Sequence, residues 1–233
     1  MHATRLTSFD ELYALSQRYR AWVFRGVPDE AFQLVPKIGR QQQALTAPKR
    51  KLNERRLFSN FVREAGQFLT TKPASAWEWL ALAQHHGLPT RMLDWTENPL
   101  VAAYFACAQL EHQDGAIYML ITDNVVDEND LTDSPFSITR VMRYRPHHVT
   151  RRIAAQRGLF TIHPRPTEPL QSNPKKGLRV DRVIVDAAFK RRLRWSLDQF
   201  GINTASLFPD LDGLAQQLSW RFYEADPTDT EQA

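Results

Sequence analysis

An α+β fold, with one mixed or antiparallel sheet and several packed helices, is what this sequence predicts. Three observations lead there. Helix-like and strand-like segments do not alternate regularly, which argues against a doubly wound sheet. The run Ala116 to Ile121 is continuously apolar and suits a central strand. The chain of 233 residues is 42% hydrophobic and carries 13 Phe and 6 Trp, enough to bury a sizeable core without staples. That length fits one domain over residues 1–233, with a core at about 8–218 and an acidic tail at 224–233.

Ser8 to Glu11 reads as a capping box that opens a helix with Leu12, Leu15 and Tyr19 on one face. Trp22 to Arg25 is strand-like and ends at Gly26 and Pro28. Gln33 to Gly39 reads as irregular. Pro48 to Leu69 predicts a long helix whose apolar face is Phe58, Phe61, Val62, Ala65, Phe68 and Leu69. Ser75 and Glu78 start a further helix carrying Trp79, Leu80 and Ala83, and Gly87 stops it. Gln84, His85 and His86 then occupy its last turn. Leu88 to Thr96 is a connection or short strand, and Asn98-Pro99 opens an apolar helix reaching Leu110.

Beyond the central strand lies a polar excursion, Asp123 to Pro135. Ile138 to Tyr144 and Gly158 to Ile162 are short strands, Pro164 to Lys176 is an exposed loop, and Leu178 to Val185 alternates as a strand. Asp186 caps a helix bearing Phe189, Leu193, Leu197 and Phe200. Asn203 to Phe208 reads as a last strand. Leu211, Leu214, Leu218 and Phe222 mark the core face of a last helix.

Composition excludes several classes of function. A single cysteine, Cys107, allows no internal disulfide and no Cys-based metal site, and its apolar setting marks it as a core residue rather than a nucleophile. No apolar run approaches a membrane span, no secretory leader is visible, and the expected compartment is the cytoplasm. Phosphate-loop, dinucleotide and nucleophile-elbow motifs are absent. The pairs His85-His86 and His147-His148 are adjacent, a spacing that sets two rings about 100° apart on a helix and suits no shared metal. No metal or cofactor is therefore required. The net charge of +4 is unevenly spread: Ser134 to Thr167 holds seven arginines, including Arg152 and Arg157, and no Asp or Glu. Such a stretch suits an anionic ligand, since guanidinium groups grip phosphate in pairs of hydrogen bonds, and it equally suits a solvated basic face.

The densest polar cluster is Gln84-His85-His86-Gly87-Leu88-Pro89-Thr90-Arg91-Met92-Leu93-Asp94-Trp95-Thr96-Glu97-Asn98. A connection between two apolar helices does not need so many polar groups, and each buried one must find a partner. Arg91 and Asp94 are expected to form a buried pair that pins the loop. His85 is expected to titrate near neutrality. Arg25 closes an apolar strand, where an unpaired guanidinium is costly. It is expected to meet Asp94, His85 or Thr96, or to hold an anion, with Gly26 clearing space for a ligand.

Trp22 to Gly26, Ala83 to Thr96, Ala102 to Ala106 and Ala155 to Phe160 resemble the FRG domain family, named for its Phe-Arg-Gly motif, here Phe24-Arg25-Gly26. The resemblance runs from about residue 8 to residue 218. It implies a bacterial or viral setting, and antiviral defence belongs to the reading of the domain as a non-catalytic module. The layout also resembles the ADP-ribosyltransferase plan, with Arg25, Thr96 and Gln156 in the places of its catalytic residues and His85 beside them. That likeness implies a nucleotide-type ligand, with NAD as a substrate. Phe24, Gly26, Gln84, His86, Thr90, Arg91, Asp94, Trp95 and Phe160 would then line the site, and Trp95 or Phe160 would stack on a ring. The plan normally carries a Glu where Gln156 stands, and an amide stabilises developing positive charge poorly. Two classes of function follow. One is an enzyme that cleaves NAD or transfers ADP-ribose. The other is a non-catalytic module that binds a nucleotide, a nucleic acid or a protein.

Overall fold

The computed structural model describes residues 5–147, 150–170 and 177–224. Seven strands form one mixed sheet: β1 (Arg5–Leu6), β2 (Val23–Val27), β3 (Met92–Thr96), β4 (Gly115–Thr122), β5 (Met142–Tyr144), β6 (Gly158–Ile162) and β7 (Leu178–Val185). Their order is β1-β7-β4-β2-β3-β6-β5. Only β1 and β7 run parallel, and every other pairing is antiparallel. The apolar run predicted to be central is central, since β4 pairs along its whole length with β7 and with all of β2.

The pairing has one weak seam. β2 and β3 share only the pair Phe24↔Thr96. Beyond it the backbone of Arg25 to Val27 bonds to β4 alone, and β3 pairs fully with β6.

The helices are α1 (Phe9–Arg18), α2 (Lys37–Gln41), α3 (Ala47–Ala65), α4 (Ala76–His85), α5 (Pro99–Cys107), α6 (Arg151–Ala155), α7 (Ala187–Gln199), α8 (Thr204–Leu207) and α9 (Leu211–Tyr223). Their starts obey local chemistry. Ser8 and Glu11 close the predicted capping box, and Ser75, Asn98, Thr150, Asp186 and Asp210 each accept from a backbone N–H of the first turn.

Two apolar clusters share one side of the sheet. One joins Phe24, Ile117 and Met119 to α1, α5 and α7; the other joins Met92, Phe160 and Ile162 to Trp77 and Leu80 of α4. The opposite side carries Val23, Leu93, Trp95, Tyr118 and Leu159. The weak seam therefore falls between the two helix clusters.

Gly26 has a different purpose from the one expected. A Cβ there would lie 1.8 Å from the carbonyl oxygen of Ala102 and 2.7 Å from the nitrogen of Ala106. Its missing side chain lets α5 rest directly on β2, so its first service is to helix packing. Lys190 pins the far end of α5. Its buried Nζ donates to the carbonyls of Pro28, Gln109 and Leu110 at 2.6, 3.3 and 3.0 Å.

Several expectations are corrected. Asn203 to Phe208 is no strand: Asn203 caps the nitrogen of Ser206 in a capping box, and α8 follows. The irregular segment contains α2, and the strand begun at Ile138 shrinks to β5. The long helix ends at Ala65 with a 3-10 turn, and its only buried residue is Glu54, while Phe68 stands exposed. Most consequentially, α9 turns its apolar stripe outward. Leu211, Leu214, Leu218 and Phe222 are 82%, 45%, 57% and 83% exposed. Its polar face packs inward instead, because Gln217 and Arg221 bond to Asp198 of α7. The Pro164 to Lys176 loop is described to Leu170; residues 171–176, His148 and the tail beyond Glu224 lie outside the described residues. Among the described residues no helix is long and apolar enough to cross a membrane, and no group of three metal-ligating side chains gathers.

Candidate functional site

Over the seam between β2 and β3 lies a cleft of about 740 Å³. Its floor is Phe24, Gly26, Thr96, Gly158 and Phe160. One wall is the C-terminal turn of α4, from Gln84 to Gly87; the other is Arg152, Ile153 and Gln156, with Phe105 and Asp210 at the far end. The volume lies in the range of small-molecule sites.

Arg25 reaches across the seam. Its Nη1 donates to the backbone oxygen of Asp94 at 2.6 Å and lies 3.5 Å from the Asp94 carboxylate. The guanidinium thus takes up a carbonyl that the interrupted ladder leaves over. Its Nε is buried without a partner among the described residues, a cost that seldom persists without a reason. Asp94 stays 56% exposed and also accepts from Gln84 Nε2 at 3.0 Å. Gln84 in turn accepts from Thr90 Oγ1 at 2.5 Å, and Thr90 Oγ1 accepts from the nitrogen of Met92. Gln84 therefore ties the end of α4 to β3.

His85 is the last residue of α4, with Nδ1 3.4 Å from Thr150 Oγ1. Burial, with His86 and Arg152 nearby, lowers its pKa to about 4, so the ring is neutral at pH 7 and does not titrate near neutrality as expected. His86 is exposed beside it, edge-on at 4.8 Å.

Two residues given catalytic places are held by backbone. Thr96 Oγ1 donates to the carbonyl of Gln156 at 2.6 Å and accepts from the nitrogen of Asn98 at 3.0 Å. Gln156 Nε2 donates to the carbonyl of Leu207 at 3.1 Å. Together they lace β3, α6 and α8.

Three further expectations change. Arg91 does not pair with Asp94. It makes two hydrogen bonds, at 2.8 and 2.5 Å, to Glu54 of α3, and both side chains are only 6% exposed. The pair pins the loop as expected, with a partner 37 residues away that no local pattern marks. Neither Arg91 nor Thr90 lines the cleft. Trp95 points to the opposite side of the sheet, where its indole donates to Thr161 at 2.8 Å, and is no stacking platform. Phe160 does line the floor but is almost wholly buried in the α4 cluster. Cys107 is buried, and burial pushes its thiol up to about 12, as befits a core residue.

Arg152 is the residue that sequence reasoning passed over. Its guanidinium sits 4.4 Å over the ring of Phe208 and has no carboxylate partner among the described residues. The acid-free stretch was the available signal, but nothing in it distinguishes Arg152 from Arg145 and Arg157, both of which lie against Glu97. Phe105 lay within the Ala102 to Ala106 block of the resemblance but was given no place in the site, and Asp210 carried no signal.

Fold and site together define an α+β domain with a polar cleft built at the interruption of its sheet. A family model described as the FRG domain matches residues 20–115, from the turn before β2 to the start of β4, and the chain carries an FRG domain there. The match holds Arg25 and the Gln84 to Thr96 block; the opposite wall, with Arg152 and Gln156, lies outside it. No curated protein and no solved structure matches the chain.

Proposed function

We propose that the cleft binds a nucleotide-type anionic ligand and does not turn it over. One observation carries the reading. Arg152, seated over the ring of Phe208 and free of any described carboxylate partner, faces a cleft into which Arg25 reaches across the seam between β2 and β3. A guanidinium oriented by an aromatic ring keeps its donors for an incoming phosphate. The half-buried, neutral ring of His85 supplies a polar group beside them, and Phe105 and Ile153 supply apolar wall.

Binding without turnover is supported by the state of the polar groups. The hydroxyl of Thr96 and the amide of Gln156 are spent on backbone carbonyls, so the transferase-like layout lacks two of its free groups. The carboxylates at the cleft are Asp94, engaged with Gln84 and Arg25, and Asp210, engaged in capping α9.

Titration calorimetry with AMP, ADP-ribose, NAD and a short oligonucleotide tests this, together with an assay for released nicotinamide. Saturable binding of a nucleotide is expected, weakened about tenfold or more in Arg152→Ala, with no nicotinamide released. If no nucleotide binds, the second reading takes its place: a protein-interaction module, which the outward apolar stripe of α9 favours. Release of nicotinamide at a catalytic rate would restore the enzyme reading.

A further inference from the structure

The cleft does not end at Phe105. A second hollow, of about 230 Å³, shares Gly26 and Phe105 with it and continues along the C-terminal half of α5. Tyr104, Phe105 and Phe208 give this hollow an aromatic side, and Gln109, Gln216 and Arg194 give it a polar one. Phe105 and Phe208 meet edge-on at 6.2 Å and divide the two spaces.

The second hollow repeats the device of the first. Arg194 lies 4.3 Å over the ring of Trp220, as Arg152 lies 4.4 Å over Phe208, and it too has no carboxylate partner among the described residues. The carboxamides of Gln109 and Gln216 make no hydrogen bond among the described residues and both are exposed. Two ring-held guanidiniums, with an aromatic partition between them, match a ligand in which phosphate and planar ring repeat. The carboxamides can each offer a donor and an acceptor to the edge of such a ring.

We infer that the hollow at Tyr104, Phe208 and Arg194 is a second subsite, and that the ligand of the cleft carries two planar rings joined through phosphate. This inference rests on the nucleotide reading of the main cleft. It extends that reading by fixing the size of the ligand and the direction in which it lies. One ring occupies the main cleft near Phe105, the linking phosphate faces Arg152, and the second ring lies against Phe208 with Arg194 beside it. A pyrophosphate-linked dinucleotide and a 3′–5′-linked dinucleotide share this chemistry.

Calorimetry with three probes tests the assignment: AMP, a pyrophosphate-linked dinucleotide and a 3′–5′-linked dinucleotide. They are titrated into the full chain, into Arg194→Gln and into Ala108→Phe, which fills the second hollow from the end of α5. Thermal melts establish that the variants fold. At least one dinucleotide is expected to bind about tenfold or more tighter than AMP, since the second group arrives already tethered. Both variants should abolish that advantage and leave the affinity for AMP within about twofold. Whichever linkage shows the advantage identifies the source of the ligand. Equal affinity for AMP and both dinucleotides overturns the second subsite while sparing the main cleft. So does an advantage that survives in both folded variants. If no probe binds the wild-type chain, the nucleotide reading falls and the second subsite with it.

Discussion

Removing Glu54 should loosen the whole Gln84 to Thr96 segment in one step. In Glu54→Ala the guanidinium of Arg91 keeps its buried position, 6% exposed, and loses both charge-assisted bonds, at 2.8 and 2.5 Å. What remains nearby is the ring of Phe136, 5.1 Å from the guanidinium carbon, which cannot replace a carboxylate. Breaking a buried pair by deleting one partner costs roughly 3–5 kcal/mol, because an uncompensated charge is left behind. For a domain of this size that corresponds to a fall in Tm of roughly 6–20 °C. Urea denaturation of wild type, Glu54→Ala, Arg91→Leu and the double variant Glu54→Leu/Arg91→Leu measures it. The double variant should lose much less than the two single losses combined, since no charge is then stranded. A Glu54→Ala loss under about 1 kcal/mol would mean that the buried pair does not hold the segment, and that β3 is positioned by its pairing with β6 and by the bonds of Gln84, Arg25 and Thr96.

The remaining predictions concern packing, charge and surface. Gly26→Ala should destabilise by several kcal/mol, read by thermal melt, because its Cβ would overlap the rigid backbone of α5 at Ala102. Acid should weaken the fold through two histidines. Burial holds His85 at a pKa of about 4 and His163 at about 3, below the ordinary 6.5. The unfolded chain then binds more protons, so stability is full above about pH 6.5 and falls as pH drops through that value toward 4. Urea midpoints at pH 7.5, 6 and 5 check the sign, and a midpoint that rises on acidification contradicts it. The triple variant Leu211→Ser, Leu218→Ser, Phe222→Ser should change stability by no more than about 0.5 kcal/mol per site, since these side chains lie in solvent. A large loss by denaturation would mean that the stripe is covered in solution.

Much of the frame was legible because it is local. The capping box at Ser8, the Ser75 N-cap, the Asn98-Pro99 helix start and the apolar run of β4 are patterns of neighbouring residues, and the fold honours them, although Glu78 turns its carboxylate to the nitrogen of Ala74 and leaves the second capping box half made. The failures are of another kind. Apolar spacing located α9 but could not say which face meets α7, because Asp198 recruits the polar side through Gln217 and Arg221. Glu54 looked like one charge among many on a basic helix, and only tertiary pairing makes it the anchor of Arg91. The meeting of Arg25 with Asp94 was foreseeable, as an Arg at the end of an apolar strand needs an acceptor; that its main acceptor is a carbonyl follows from a seam in the sheet that no single-strand pattern reveals. Arg152 was visible within the acid-free stretch, but its seat on Phe208 joins residues 56 apart.

Arg25 and Arg152 are proposed to converge on one anionic ligand. NMR observation of arginine side-chain N–H groups during titration with AMP tests it most directly, with assignments taken from Arg25→Lys and Arg152→Lys. The Arg152 resonance should show the larger shift and that of Arg25 a smaller one on the same binding isotherm, while Arg91, buried against Glu54, does not move. Saturable binding with both cleft arginines unmoved would contradict it.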